Sequence, residues 1–411
     1  MCGIAGWVRF GGDPEELSRG VAVMTATMSR RGPDSGGVWH DRDVALGHRR
    51  LAVIDPPGGV QPMVAELGAD RVVLTYSGEV YNFAELRAEL GHHEFRTRSD
   101  TEVVLRGYLE WGTGVAERLN GMYALAVWDS RVRRLVLMRD RMGIKPLYYR
   151  RTPDGVLFGS EPKAILASGQ VRPVVDAAGV VEVLATAKAP GHAIWSGMAE
   201  VKPGTVLTVD AAGVRERTYW SLPARPHEDD LATTVRRVRE LLEDIVSRQL
   251  VADVPVRLLL SGGLDSSALA ALAARRTEVH SVAVDFTDAG PDAPFAREVA
   301  AHAGVSHAEV VLDHEVLAEP SLRQATVAAR DLPTGRGDPD ASFYLLCGRI
   351  REDATVALSG EAADELFGGY HWFHDPAAHR ADTFPWLGSA RINGVLGAVD
   401  AGWARRLGLD D

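Results

Sequence analysis

An apolar run that leads straight into a glycine-rich turn is the feature that most constrains the fold of this chain. Residues 258–267 read Leu-Leu-Leu-Ser-Gly-Gly-Leu-Asp-Ser-Ser, and the alanine- and leucine-rich stretch after them predicts a helix. At Gly262 and Gly263 the backbone N–H groups are accessible, and they face the same way as the positive end of that helix. This arrangement can bind a phosphate. The Gly-Lys-Ser/Thr of the commonest nucleotide loop is absent. The alternative is an ordinary strand-to-helix turn.

Length, charge and cysteine content exclude several classes of protein. A chain of 411 residues is long for one hydrophobic core, so we expect two or three domains. The net charge of −11 disfavours nucleic acid or an anionic membrane as the main partner. No apolar run reaches the ~20 residues of a membrane-spanning helix, and no signal peptide is expected. The two cysteines, Cys2 and Cys347, lie in no metal-like cluster, which favours a reducing cytoplasm.

The pattern of apolar residues changes near residue 220. Before it, short β-rich runs alternate with turns and a few helices, which predicts stacked antiparallel sheets flanked by helices. After it, apolar runs alternate with helices, which is typical of a parallel sheet with crossover helices. The proline-rich, polar segment 221–230 predicts a linker between domains at 1–220 and 231–411. Examples of the predicted strands in the first half are Ile4–Phe10, Arg71–Tyr76, Met122–Trp128, Leu135–Met138 and Val156–Phe158, and those of the second half are Val256–Leu260, Val279–Val284, Ala308–Leu312 and Thr355–Leu358.

Two strands of the second half run directly into Ser-Gly, at Ser261-Gly262 and at Ser359-Gly360. Ligands of parallel sheets bind beyond the carboxyl ends of the strands. We therefore expect these two loops to border one pocket.

Cys2 is a candidate nucleophile because it follows the initiator methionine. Removal of Met1 would leave a thiol and a free α-amino group on one residue. Their ordinary pKa values, about 8.5 and about 7.7–8.0, let the amine act as general base for its own side chain. The alternative is a small buried cysteine at the start of a strand.

Five segments in the first half form an ordered set: Met1-Cys-Gly-Ile4, Arg31-Gly-Pro-Asp34, Gly47-His-Arg-Arg-Leu-Ala-Val-Ile-Asp55, Tyr76-Ser-Gly-Glu-Val-Tyr-Asn82 and Arg98-Ser-Asp-Thr-Glu102. This set resembles the glutaminase domain of class II glutamine amidotransferases. Together with the loop at 261–267 and the segment 359–370, the chain resembles the glutamine-hydrolysing asparagine synthetases. The resemblance implies an α+β N-terminal nucleophile (αββα) glutaminase domain, followed by an α/β parallel-sheet adenylating domain that is incomplete at its C-terminus.

The resemblance implies a glutamine site around Cys2. Arg50 would grip the substrate carboxylate with its forked donor, with Arg49 as its rival, and Glu79 and Asp100 would face the ammonium. Ser99 and Glu102 have capping-box spacing, so Asp100 is expected in the first turn of a helix, where an acid is also favoured by the helix dipole alone. Arg31 and Asp34 are expected to form an internal ion pair. The remaining implied contacts are Ile54, Ser77 and Gly78, and Ser77 departs from the asparagine that many relatives use as an oxyanion donor.

The resemblance also implies an ATP site in the second half. Asp265 and Asp364 are the implied ligands of Mg²⁺, and Glu361 is the implied polar or basic group at the reacting carboxyl. Leu259 and Val284, at the implied adenine and ribose positions, are equally well explained as packing residues. The other implied ATP contacts are Ser261, Gly262, Gly263, Ser266, Ser359 and Gly360.

The function that the resemblance implies is ATP-dependent amidation of aspartate by glutamine-derived ammonia, through a Cys2 thioester and an acyl adenylate. Glutamine, aspartate and ATP are the expected partners, and members of the family often form homodimers. Three alternatives stay open: amidation of another carboxylate, with Arg336 as a candidate grip for the acceptor; a sugar-isomerising amidotransferase, which the loop at 261–267 disfavours; and a protein that keeps only glutaminase or a partner-binding role.

Overall fold

The computed structural model describes residues 1–185, 188–287, 292–331, 338–380 and 382. The chain forms two compact units. The first comprises Met1–Asp176, Ala189–Leu231 and Val251–Val254, and the second comprises Ala177–Lys188, Ala232–Leu250 and the described residues from Pro255 onward.

The first unit contains two six-stranded sheets. The strand order is β10-β8-β9-β1-β3-β2 in one sheet and β12-β11-β7-β6-β5-β4 in the other, and the pairing is antiparallel throughout. The strands are β1 (Gly3–Arg9), β2 (Ser35–Asp41), β3 (Val44–Arg50), β4 (Met63–Leu67), β5 (Asp70–Val80), β6 (Gly121–Asp129), β7 (Arg134–Arg139), β8 (Tyr148–Thr152), β9 (Gly155–Gly159), β10 (Met198–Glu200), β11 (Thr205–Asp210) and β12 (Gly213–Thr218).

Helices cover the outer faces of these sheets, which gives four layers. Because both faces of the central strands are covered, they are apolar at nearly every position, and alternate side chains enter different layers. In β1, Ile4 and Val8 pack between the sheets, whereas Ala5 and Trp7 pack against the helix over 14–26. The predicted αββα architecture is confirmed. The helices of this unit are α1 (Pro14–Ala26), α2 (Phe83–Glu89), α3 (Asp100–Trp111), α4 (Val115–Arg118) and α5 (Pro162–Ala167), with a 3₁₀ turn at Gly112–Gly114.

The second unit is built on a four-stranded parallel sheet with the order β15-β14-β13-β16. The first strand in sequence, β13, lies between the second and the fourth, so the chain reverses its direction of winding there. In such a sheet the ligand crevice opens at the carboxyl ends of the two strands where the order reverses. The strands are β13 (Val256–Leu259), β14 (His280–Phe286), β15 (Ser306–Leu312) and β16 (Val356–Leu358).

Helices of the second unit pack against this sheet, and the longest of the described helices spans Leu231–Gln249. In the part of the chain that the structure describes, no helix combines the length and apolarity needed to cross a bilayer. The helices are α6 (Ala177–Ala185), α7 (Leu231–Gln249), α8 (Leu264–Ala274), α9 (Ala293–Ala303), α10 (His314–Ala318), α11 (Pro320–Arg330), α12 (Asp338–Ile350), α13 (Ala363–Phe367) and α14 (Pro376–Arg380), with a 3₁₀ turn at His371–Phe373.

Candidate functional site

The thiol of Cys2 lies at the start of β1, beside the end of β3. Its Sγ atom is 3.4 Å from the backbone N of Leu51, which donates to it. Burial raises the pKa of this thiol, against the opposing effects of the Leu51 N–H and the positive charges of the N-terminus and Arg50. A thiol held protonated in this way needs a base before it can act as a nucleophile.

A pocket opens at Cys2. It is formed where β1 and α3 begin and where β3 and β5 end, so the ends of these four elements converge on one point. Among the residues predicted to bind glutamine, the structure places Arg50, Ile54, Gly78, Glu79 and Asp100 in the lining with Cys2. Other residues of the lining were not predicted from the sequence, among them Leu51, Gln61, Tyr76 and Thr101.

Arg50 points into the pocket, and its rival Arg49 does not line it. Neighbouring residues of a strand face opposite sides, and Arg49 Nε donates to the carbonyl of Gly32 at 2.9 Å. The guanidinium of Arg50 donates to the carbonyls of Pro56 and Asp55, the latter at 3.0 Å. These two bonds fix the plane of the fork and leave the rest of its five donors for a ligand.

Asp100 begins α3, and its side chain is buried. Its Oδ2 atom accepts hydrogen bonds from the Tyr76 hydroxyl at 2.8 Å and from the Val80 N–H at 3.1 Å. Burial raises the pKa of Asp100 despite these bonds. Burial and the nearby Asp100 charge raise the pKa of Glu79 to about 7. Two neighbouring carboxyl groups with raised pKa values favour the binding of a positively charged group, because its charge stabilises the ionised form of both.

The helix start at Asp100 is as predicted, but the cap differs from a capping box. Ser99 Oγ accepts from the N–H of Thr101 at 3.1 Å. Glu102 reaches past Ser99 and accepts from the N–H groups of Thr97 and Arg96 at 2.7 and 3.0 Å. The carboxylate of Glu102 therefore orders the segment before the helix, which positions Asp100.

Ser77 has a different environment from the one expected. Its Oγ atom donates to the carbonyl of Cys2 at 2.8 Å, and the side chain is buried between the sheets because it alternates with Tyr76, which faces the helices. As placed, the hydroxyl holds the backbone of Cys2 and does not face the pocket. Arg31 also differs from expectation: it pairs with Glu161 at 3.2 Å and donates to the Cys2 carbonyl at 2.9 Å, whereas Asp34 accepts from the N–H of Ala52 at 2.8 Å.

In the second unit, the loop after β13 has the geometry of an anion cradle. Gly262 has φ +86°, and a Cβ atom there would lie 2.6 Å from the backbone N of Ala296. Gly263 precedes α8 with no side chain capping the helix, so the first N–H groups of α8 stay available to a ligand. The hydroxyls of Ser261 and Ser266 lie 3.1 Å apart and brace the turn from inside.

The loop after β16 lies against the same helix end. A Cβ atom on Gly360 would be 3.1 Å from Cβ of Asp265 and 3.2 Å from the backbone N of Ser266. The two Ser-Gly loops thus meet at the point where the strand order reverses. Ser359 Oγ accepts from the N–H of Glu361 at 3.4 Å, and the Glu361 side chain is exposed.

Leu259 and Val284 pack into a small apolar cluster with Val282, Leu346 and Ile350. Their placement therefore favours the packing explanation that the sequence left open.

Asp265 and Asp364, the predicted ligands of Mg²⁺, offer carboxylate oxygens, the type of donor that Mg²⁺ prefers. Asp265 lies in the first turn of α8, and Asp364 lies in the first turn of α13. Within the described residues, the one group of three potential metal ligands is His92, His93 and Glu110, far along the chain from both. Mg²⁺ usually keeps several waters and is held through one or two carboxylates and the phosphates of a substrate.

Comparison with known proteins agrees with this geometry. A family model described as a glutamine amidotransferase domain matches residues 1–220, and one described as asparagine synthase matches residues 237–409. Asparagine synthetase (glutamine-hydrolyzing) 3 of Bacillus subtilis (strain 168) is 39% identical, over 100% of this chain and 69% of that protein. Asparagine synthetase B (glutamine-hydrolyzing) of Escherichia coli (strain K12) is 33% identical, over 91% of this chain and 65% of that protein.

These matches define a class of protein first: a glutamine amidotransferase domain of the N-terminal nucleophile fold, followed by an asparagine synthase domain. The chain belongs to the glutamine-hydrolysing asparagine synthetase family. It spans about two thirds of the length of these two relatives, 69% and 65%.

Replacement of Arg50 by lysine is expected to raise the KM for glutamine roughly 10- to 100-fold, the equivalent of about 1.5–3 kcal/mol for a hydrogen bond to a charged group. A lysine has a single ammonium group, so it cannot bond two loop carbonyls and at the same time offer paired donors to a carboxylate, as the planar guanidinium does. Steady-state glutamate release measures KM and kcat. The matched control is Arg49→Lys, one residue away and outside the pocket lining, which should leave KM within about 2-fold. Equal effects of the two substitutions would contradict the assignment of Arg50.

Proposed function

We propose that this chain catalyses ATP-dependent amidation of aspartate to asparagine, with ammonia that it releases from glutamine. The observation that carries the proposal is the convergence of Cys2, Arg50, Glu79 and Asp100 on one pocket, since a thiol, a guanidinium fork and two carboxyls match the amide, carboxylate and ammonium of glutamine. The strand-order reversal beside two Ser-Gly loops, and the names of the relatives, support the synthetase half.

In the glutaminase reaction, Cys2 acts as nucleophile after Met1 has been removed. The free α-amino group takes the thiol proton, and sulfur attacks the amide carbon of glutamine. The C–N bond breaks, ammonia leaves with the transferred proton, and a thioester remains. Water then hydrolyses the thioester to glutamate. Arg50 holds the substrate carboxylate, and Glu79 and Asp100 hold its ammonium, so the amide is oriented towards sulfur.

In the synthetase reaction, an oxygen of the aspartate side-chain carboxylate attacks the α-phosphorus of ATP, and pyrophosphate leaves. Ammonia then displaces AMP from the acyl adenylate and forms asparagine. The N–H groups around Gly262 and Gly263 hold the pyrophosphate, and Glu361 accepts a proton from the attacking ammonia. Asp265 and Asp364 would hold Mg²⁺, which when bound neutralises phosphate charge. An exposed thiol at Cys347 suits the reducing cytoplasm in which we place this chemistry.

Binding of glutamine should weaken as the pH falls through about 7. Burial and Asp100 raise the pKa of Glu79 to about 7, so Glu79 is ionised above that pH and neutral below it. The neutral form loses its attraction for the substrate ammonium, and KM is expected to rise towards low pH. KM measured between pH 8 and 5.5 tests this. In Glu79→Gln, KM should be high at pH 8 and flatter across the same window. An unchanged pH dependence in that variant would assign the titration to another group.

The experiment that tests the proposed function is a product balance with the purified chain, glutamine, aspartate, ATP and Mg²⁺. Asparagine, glutamate, AMP and pyrophosphate should form together, and pyrophosphate should require aspartate. Pyrophosphate release that requires a different carboxylic acid would favour the alternative acceptor, for which the candidate Arg336 lies outside the described residues. Glutamate release without pyrophosphate from any acceptor would leave only the glutaminase activity.

A further inference from the structure

Lys145 is a buried ammonium group, close enough to Cys2 for the two side chains to interact electrostatically, and the mechanism above does not use it. It lies between β7 and β8 with only 5% of its surface exposed. Its backbone is fixed on both sides: the N–H donates to Asp140 Oδ2 at 3.0 Å, and the carbonyl accepts from Arg139 Nε at 2.9 Å. Because the backbone at Lys145 has little freedom to move, the fold fixes the position from which the side chain extends.

The hydrogen-bond partner of the Lys145 ammonium is the thioether sulfur of Met1, at 2.9 Å. A thioether is a weak acceptor, and a buried charge with such a partner is poorly compensated. Burial and the nearby Arg31 lower the pKa of Lys145 to about 8, although Glu79, Asp140 and Cys2 oppose this. Met1 is also the residue whose removal creates the α-amino group of Cys2.

We propose that Lys145 is a positioning residue of the glutaminase site, which lies next to the mature α-amino group of Cys2 and keeps that amine unprotonated. The inference rests on the proposed role of Cys2 as nucleophile. A neighbouring positive charge disfavours a second one on the amine, and an unprotonated amine is the form that can take the thiol proton. Lys145 contacts neither glutamine nor the reacting atoms in this scheme and acts through the charge of its ammonium.

The other charged groups around the amine do not remove this effect. Arg31 is also positive, and its Nε donates to the Cys2 carbonyl, so it acts in the same direction as Lys145, although Glu161 pairs with it. Arg50 adds a third positive charge on the β3 side. On the negative side, Asp140 is occupied by the N–H groups of Tyr123, Met142, Ile144 and Lys145. Glu79 and Asp100 face the substrate ammonium, and both have raised pKa values.

The test compares Lys145→Met, which keeps the length of the side chain without its charge, with Lys145→Arg, which keeps the charge. In the pH profile of kcat at saturating glutamine, which excludes the effect of Glu79 on KM, the acid limb should move up by about one pH unit in Lys145→Met, as expected for loss of a charge several ångströms away. The plateau at high pH should be largely recovered. Lys145→Arg should restore the limb of the unaltered enzyme. A lower plateau with an unmoved limb in Lys145→Met would overturn the proposal and leave Lys145 a purely structural role.

A direct measurement separates this proposal from the proposed function. The pH dependence of acetic anhydride labelling at the N-terminal amine, followed by mass spectrometry of the unaltered protein, reports the pKa of the amine without any enzymatic turnover. A value below the ordinary range of about 7.7–8.0, which rises in Lys145→Met, supports the role of Lys145. A value within or above that range in the unaltered protein overturns it, even if Lys145→Met does not fold. Absence of glutamine hydrolysis would instead contradict the role of Cys2.

Discussion

Replacement of Cys2 by alanine is expected to abolish glutamine hydrolysis, with a loss of roughly 10³-fold or more, as for other enzymes that lose their nucleophile. The substitution removes the sulfur and little else. The bonds that hold residue 2, from Ser77 Oγ and Arg31 Nε, both end on its backbone carbonyl, so alanine keeps them. Glutamate release measures the loss, and a thermal melt should show a transition close to that of the unaltered chain.

Two further measurements make the Cys2 result specific. Asparagine formation from added ammonium salt should persist in Cys2→Ala, because that reaction needs no glutamine. Cys347→Ala removes the other thiol, which is exposed on α12, and should leave both activities unchanged. Glutamine hydrolysis in Cys2→Ala at more than a tenth of the original rate would show that another residue is the nucleophile.

The apolar pattern predicted covered strands such as β1, β6 and β7, because these carry apolar side chains on both faces, whereas the exposed strands β2 and β12 lack this pattern. The prediction for β5 ended at Tyr76, whereas the strand continues through Ser77, Gly78 and Glu79 to Val80. The polar end of this strand reads as a loop in the sequence, yet it remains in the sheet because it pairs with β6 as far as Gly121. Prediction from the apolar pattern therefore ends a strand too early where its last residues are polar because they form a site.

Residues of the candidate site could be predicted where they belong to a sequence motif. They could be predicted less well where only tertiary packing brings them to the site. Arg50 and Asp100 stand in ordered motifs, and the structure places both in the pocket lining. Lys145 lies in a loop, and a lysine in a loop is ordinarily exposed to solvent. The neighbouring sequence does not indicate that Met1 and Asp140 enclose it. The direction of the Ser77 side chain depends on strand alternation, which can be read once β5 is known to extend past Tyr76.

The steric and conformational restrictions at Gly262 make a second large effect predictable. Alanine there would have to adopt φ +86° and would place its Cβ 2.6 Å from the backbone N of Ala296 and 2.7 Å from Cβ of Phe295. The left-handed conformation costs about 1–3 kcal/mol for a residue other than glycine. The contact with backbone must also be relieved by moving the loop or α9. We expect aspartate-dependent pyrophosphate release to fall roughly 10²-fold, the effect of about 1 Å of misplacement.

Gly304→Ala is the matched control for the synthetase half. Gly304 has φ +68°, but a Cβ atom there meets nothing within 4 Å, so the variant carries the backbone strain without the collision. ATP binding by calorimetry and pyrophosphate release should be near normal in Gly304→Ala and strongly reduced in Gly262→Ala, whereas glutamine hydrolysis should be unaffected in both. Equal ATP affinity in the two variants would mean that the turn at Gly262 does not hold the nucleotide. Equal losses in both would trace the effect to backbone strain in the second unit and not to the phosphate cradle.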